Sequence, residues 1–294
     1  MNSAAAEAFH AQFRRVLAYI DAHLDEELGV EQLSAVAAFS KFHFHRQFSA
    51  LFGFGVYKYI QLSRLKRASY KLAFRTDQPV IDIALDSGYD GPEAFARAFK
   101  KSVGQTPTEF RQQPQWHPWN TTLQPLTDVR IKHMKTEYRP DQVRIVDFPE
   151  TKVAAFEHRG DPKRIGESVR DFITWRKQQK LHPSVSATFN IVYDNPADVA
   201  PEDFRCDLCA ATDRAPAANS FGIIPKVIPA GRCAVLRHVG STDNIAEPTM
   251  WMYSEWLPHS GEELRDYPLV FQYLKFFPDV PDHEAVTDIF LPLR

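Results

Sequence analysis

The stretch Gly88–Arg111, GYDGPEAFARAFKKSVGQTPTEFR, decides how the first third of the chain is read. Glycines bracket PEAFARAFKKSV, in which Phe95 and Phe99 stand four apart and share one face of a 3.6-residue helix. The same periodicity turns Glu93, Ala94, Arg97 and Lys101 outward. An earlier stretch repeats the pattern. Leu33-Ser34 and Ala38-Phe39 match Ile83-Ala84 and Gly88-Tyr89 at an offset of 50. Phe44, Arg46, Phe48, Gly53 and Tyr59 then match Phe95, Arg97, Phe99, Gly104 and Phe110 at an offset of 51. Each copy reads as a short helix, a turn and a second helix with Arg two residues before a core Phe. That is a duplicated helix-turn-helix, whose second helix inserts into the DNA major groove.

In the first copy the inserting helix is SKFHFHRQFSALFG, with Ser40 placed to cap it and Phe44, Phe48 and Leu51 facing inward. Lys41, Phe42, His45 and Arg46 project outward. Upstream, Phe9, Phe13, Val16, Leu17 and Ile20 define one face of a further helix. Between the copies, KYIQLSRLKRASYKLAFR (58–75) has six basic residues and no acidic one, which suggests a connecting helix lying against phosphates. Charge agrees with a nucleic-acid partner. Residues 40–111 hold 12 basic and 6 acidic side chains, against 2 and 6 in residues 1–39 and 21 and 25 in 114–294.

Pro114, Pro118 and Pro125, among Trp, Asn, Thr and Gln, break the periodicity and predict a linker over 114–140. Beyond it β-branched alternation takes over: VRIVDF, KVAAFEH and SATFNIVYD read as strands, and IGESVRDFITWRKQQ as a helix. A second repeat runs at an offset of 80, where Pro149, Ala154, His158, Gly160 and Ile165 recur as Pro229, Ala234, His238, Gly240 and Ile245. The expected domain is α+β, two duplicated strand-helix-strand-strand modules on an antiparallel sheet with a groove at the pseudo-twofold axis. Aromatic candidates for its walls are Phe172, Trp175, Phe189, Tyr193, Tyr253, Trp256, Phe271 and Tyr273.

Residues 10–113 resemble the AraC family of transcription regulators, on GYDGPEAFARAFKKSVGQTPTEFR, SKFHFHRQF and RLKRASYKL. The resemblance implies an all-α domain over 8–113 whose base-contacting positions are Phe42, His45 and Arg46, then Glu93, Ala94 and Arg97. Glu93 and Ala94 depart from the polar donors common in that family. The region 141–294 resembles the effector-binding domain of Rob-type regulators, also called GyrI-like, on VAAFEHRGD, DFITW, NIVYDNP, RCDLCAAT, RCAVLRHVG and TDIFLPL. That resemblance implies a small-molecule cleft between the modules. Many relatives carry Glu two residues before the residue equivalent to Tyr273, where this chain has Phe271; a neutral, apolar or aromatic effector is therefore expected rather than a cation.

The remaining signals narrow the class. At 294 residues and 44% hydrophobic content the chain can build two cores. No apolar run reaches bilayer length and MNSAAAEAFHAQF lacks the form of a signal peptide, so a cytoplasmic protein away from the membrane is expected. Cys206 and Cys209 stand three apart in an expected strand and so face opposite sides; neither a metal nor any cofactor is expected. His158 and His238 occupy equivalent repeat positions, which suggests a shared structural role at strand ends. No catalytic constellation stands out, although Glu157 and Glu255 are unplaced carboxylates. The expectation is a non-enzymatic regulator, monomer or homodimer, with double-stranded DNA, a small effector and RNA polymerase as partners. Alternatives for the second half are a small-molecule hydrolase and a gyrase- or polymerase-binding module.

Overall fold

A computed structural model describes residues 3–134 and 136–294 of the chain. They form two compact units: Met1–Thr136 with Pro281–His283, and Glu137–Val280 with Glu284–Arg294. Among the described residues no helix is long and apolar enough to cross a membrane.

The first unit is all-α: α1 (Ser3–Ala22), α2 (Val30–Val36), α3 (Lys41–Phe52), α4 (Val56–Phe74), α5 (Val80–Asp86), α6 (Pro92–Val103), α7 (Pro107–Gln112) and α8 (Trp116–His133). The sequence repeat is a repeat of geometry. Phe39 donates its N–H to the Ser34 carbonyl at 2.9 Å, as Tyr89 does to Ala84 at 3.1 Å. Ala38 and Gly88, at the two α2–α3 and α5–α6 turns, take φ +56° and +71°. Gly53 and Gly104 end α3 and α6 at φ +80°, a left-handed cap that glycine reaches without strain. The cores correspond too: Phe48 meets Tyr59 at 6.1 Å and Phe99 meets Phe110 at 5.3 Å between ring centroids. Phe13 of α1 closes the first core against Phe44 and Phe48.

Two sequence expectations are corrected. The segment read as a linker is mostly helix: α8 buries Trp116, Trp119, Leu123, Leu126 and Val129, and Trp116 stacks on Phe74 at 5.8 Å. Pro118 is the third residue of α8, where a missing N–H costs nothing; Pro125 lies inside and forfeits one helical hydrogen bond that side-chain burial outweighs. The second correction concerns α4, read as a phosphate-facing helix. Its basic residues instead tie helix ends together. Arg64 donates to the carbonyls of Leu24 at 2.9 Å, Glu26 at 2.6 Å and Gly88 at 3.2 Å. Arg67 donates to the Asp86 carbonyl and Lys71 pairs with the Asp86 carboxylate at 2.6 Å. These cations sit where carbonyls leave a negative helix end.

Within this unit lies a buried ion cluster. Arg130 of α8 pairs with Asp21 of α1 at 2.8 Å and with Asp282, and Lys66 of α4 pairs with Asp282 at 2.8 Å. All four side chains are at most 4% exposed. Two cations therefore meet two carboxylates, and each carboxylate is needed for balance.

The second unit contains β1 (Arg144–Phe148), β2 (Thr151–Arg159), α9 (Ile165–Gln178), β3 (Thr188–Val192), β4 (Arg205–Ala211), β5 (Ile224–Ile228) and β6 (Gly231–Val239). It continues with α10 (Ala246–Trp251), a π-helical stretch (Met252–Trp256), α11 (Leu257–Ser260), β7 (Leu269–Lys275) and β8 (Val286–Pro292). The strands make one antiparallel sheet ordered β1-β6-β8-β7-β3-β4-β2-β5. Each module is strand-helix-strand-strand as the repeat implies, and the modules meet at β3–β7. Each also exchanges a strand: β1 pairs with β6 and β5 with β2.

The sheet curls. Phe148 on edge strand β1 meets Phe189 on β3 at 6.1 Å, although three strands lie between them in the order. A flat sheet would hold them about 19 Å apart at ~4.8 Å per strand. The concave side thus carries a strand-only cluster including Phe148, Phe189, Ile191, Cys209, Val235 and Phe290. The other side is covered by the helices, with Phe172 and Trp175 of α9 on Leu208 and Ala210, and Met252 and Trp256 on Leu236, Phe271 and Ile289.

Candidate DNA interface and ligand-binding face

α3 and α6 expose the side chains that the sequence assigns to DNA. Ser40 accepts from the His43 N–H and starts α3; Gly91 and Pro92 start α6. Phe44 and Phe48, then Phe95 and Phe99, are buried, which fixes the roll of each helix. Lys41, Phe42, His45 and Arg46 are exposed on α3, Phe42 at 75%. Glu93, Arg97 and Lys101 are exposed on α6, with Ala94 half-buried beside them. Lys41 sits over the Phe42 ring at 5.5 Å and 3.5 Å from Glu31. Among the described residues Arg46 and Arg97 have no ion-pair or hydrogen-bond partner. Each guanidinium offers a planar fork of donors, the geometry that guanine O6 and N7 accept in the major groove. The two helices present equivalent arginines one turn into an exposed helix, and differ in the residue four positions earlier: Phe42 in one, Glu93 in the other.

The aromatic candidates of the second unit do not share one face. Phe189 and Tyr193 lie in or against the concave cluster. Phe172 and Trp175 pack under α9, while Tyr253, Trp256, Phe271 and Tyr273 pack beneath the π-helical stretch. Phe271 pairs with Asn190 and Ile289, the parity opposite to Phe189, so it faces the helices and is 7% exposed. Phe172, Trp175, Trp256 and Phe271 are core of the helix-covered side, and Tyr253 and Tyr273 are half-buried against it.

The concave side has instead a polar end that the aromatic inventory missed. Asp207 is fully buried and accepts from Tyr193 Oη at 2.8 Å, Lys226 Nζ at 2.5 Å and Arg159 Nη1 at 3.2 Å. Lys226 also reaches Glu157 at 2.6 Å, which places one of the two loose carboxylates in this cluster. The other, Glu255, is exposed on the π-helical stretch. Arg159, Arg205 and Lys226 surround the Tyr193 ring at 5.6–5.7 Å. Burial and then the Asp207 hydrogen bond push the Tyr193 phenol up to about 12. Burial works against the Lys226 charge, but Asp207 and Glu157 hold it above the ordinary lysine range. In the other module the equivalent Asp288 is answered by Arg237 through two hydrogen bonds at 2.7 and 2.8 Å. A signal for this pair was available: CDLC and VTDIFL each set an aspartate within an otherwise uncharged strand run.

The histidines behave as strand-end fixtures. His158 Nδ1 meets Ser168 Oγ at 2.8 Å; His238 bonds Tyr138 Oη at 2.8 Å and the Ser241 carbonyl at 3.0 Å. Burial lowers both imidazoles below the ordinary range. Cys209 lies in the concave cluster, Cys206 is buried off it, and burial pushes the Cys206 thiol up to about 12.

Residues 141–294 match the family model of the GyrI-like small molecule binding domain, and residues 33–113 match a helix-turn-helix domain model. The probable transcriptional regulator YgiV of Escherichia coli (strain K12) is 39% identical over 152 residues, 51% of this chain and 95% of that protein. The right origin-binding protein of the same organism is 37% identical over 103 residues, 35% of either chain. The DNA-binding domain of AdpA, solved with a target DNA, is 30% identical over 34% of this chain and 94% of its own, at a TM-score of 0.31.

Proposed function

We propose a function for a chain that belongs to the GyrI-like small-molecule-binding family and carries an AraC-type helix-turn-helix domain. It is a transcription regulator. In our reading α3 and α6 enter successive major-groove segments of double-stranded DNA, ~34 Å apart, so that one chain occupies an operator alone. Arg46 and Arg97 read guanine, Phe42, His45, Glu93 and Ala94 meet neighbouring base edges, and Lys41 and Lys101 hold phosphates. The observation that carries this reading is the pair of unpartnered arginines at equivalent positions on helices whose other faces are core. Arg46→Ala should cost about 1–3 kcal/mol of specific affinity and much less on unrelated duplex at the same salt. Anisotropy with a selected duplex measures both, and equal losses on both duplexes would remove base reading from Arg46.

The effector we assign to the concave side of the second unit, where Phe189 and Tyr193 lie. Both buried carboxylates of this side, Asp207 and Asp288, are already answered by cations of the protein. A cationic guest would find neither free, whereas a neutral planar aromatic loses little on leaving water and stacks on tyrosine. Calorimetry of the full chain with matched neutral and cationic aromatics should rank the neutral one tighter; the reverse order would overturn this assignment. The chain works as a sensor without turnover, in the cytoplasm, with RNA polymerase as the protein its occupancy of a promoter would affect. Sustained conversion of a bound effector in the same experiment would make it an enzyme instead.

A further inference from the structure

The two reading heads share an arginine and differ one helical turn before it, at the second residue of each helix. On α3 that residue is Phe42, 75% exposed and without a hydrogen-bonding group; on α6 it is Glu93, also exposed. A carboxylate on a face that approaches a polyanion is costly, so its presence there asks for a compensating contact. Glu93 and Arg97 stand at i and i+4, a spacing at which they could neutralise each other. They do not: neither has an ion-pair partner among the described residues, and the Glu93 carboxylate turns back toward Gly91, with Oε2 3.6 Å from where a Gly91 Cβ would lie. Arg97 is left open to guanine and Glu93 is left as a pure acceptor beside it. In the major groove guanine offers acceptors, thymine an acceptor and a methyl, and adenine sets an acceptor next to its amino group; cytosine alone offers a donor without an adjacent acceptor.

We infer that Glu93 is a specificity-determining residue, selecting a cytosine N4 amino group in the half of the operator read by α6. The two half-sites therefore differ in sequence. This rests on the reading of α6 as a DNA-inserting helix.

The test starts from a duplex selected with the full chain out of random sequence. Arg97→Ala locates the half-site of α6, because its loss of affinity vanishes when that half-site is scrambled. If no half-site responds to Arg97→Ala, the reading of α6 itself fails. Within the located half-site, replacing the selected C·G pair should weaken the unmodified protein roughly ten-fold or more. Glu93→Gln, whose amide both donates and accepts, should erase that preference or move it to adenine, and should bind unrelated duplex more tightly than the unmodified chain. Glu93→Ala should erase the preference without creating another. A cytosine preference that survives both substitutions, or a selected half-site without cytosine, would overturn the assignment while leaving α6 a DNA-reading helix.

Discussion

Gly88→Ala should break the joint between the two helix-turn-helix units, and the structure says by how much. Gly88 takes φ +71°, and a Cβ there would stand 2.3 Å from Arg64 Cζ and 2.4 Å from Nη2. The left-handed backbone alone costs an L-residue about 1–2 kcal/mol. The collision cannot be relieved at the backbone, so the Arg64 guanidinium must leave its three carbonyl acceptors, those of Leu24, Glu26 and Gly88. Charged hydrogen bonds contribute about 1.5–3 kcal/mol each when shielded, and Arg64 is only partly so; losing the set should cost about 2–4 kcal/mol. The sum, about 3–6 kcal/mol, is a large part of the stability of a domain of this size. Urea unfolding followed by far-ultraviolet circular dichroism measures it, and a double-mutant cycle separates its parts. With Arg64→Ala the obstacle is gone, so Gly88→Ala should then cost only the backbone share, about 1–2 kcal/mol. Additive effects of the two substitutions would refute the clash as the cause, and a loss below about 1 kcal/mol for Gly88→Ala alone would refute the left-handed turn as well.

Three further outcomes are expected. Asp282→Ala takes from buried Lys66 and Arg130 a carboxylate that both contact, and should lower the unfolding free energy of the first unit by about 3–5 kcal/mol; a fragment ending at residue 136 should show the same defect in its urea midpoint. Burial depresses His158 and His238 below their unfolded value of 6.5, so their stabilisation is complete above pH 6.5 and is lost as pH falls through the lower folded values. The thermal midpoint of the second unit should therefore drop between pH 7 and pH 5, and His158→Gln should shrink the drop. Tyr193→Phe removes a donor from Asp207 and should lower the stability of the second unit by about 1–3 kcal/mol, read as a lower thermal midpoint; an unchanged midpoint would mean the phenol contributes nothing there.

What the sequence made legible follows from what is local. The paired Phe44/Phe95 and Phe48/Phe99 spacings report which face of α3 and α6 is core, and the outward residues follow by subtraction. The basic run of α4 misled because its acceptors are carbonyls at Leu24, Asp86 and Gly88, remote in sequence and lacking any side-chain signature. α8 was hidden by prolines, one of which sits where a helix tolerates it. For the sheet, alternation showed that neighbouring residues part to opposite faces, but not which face the helices cover. Only the register, with Asn190 opposite Phe271, places Phe271 away from Phe189. The buried Asp207 cluster assembles residues from β2, β4 and β5 with Tyr193 from beyond β3, and no single stretch contains it.

The central claim, that one chain reads two adjacent groove segments through α3 and α6, meets its most direct test in a hydroxyl-radical footprint of the full chain on its selected duplex. Two protected segments about one helical turn apart are expected on one face of the DNA, with Arg46→Ala erasing one and Arg97→Ala the other. A single protected segment, or the loss of the same segment from both variants, would contradict it.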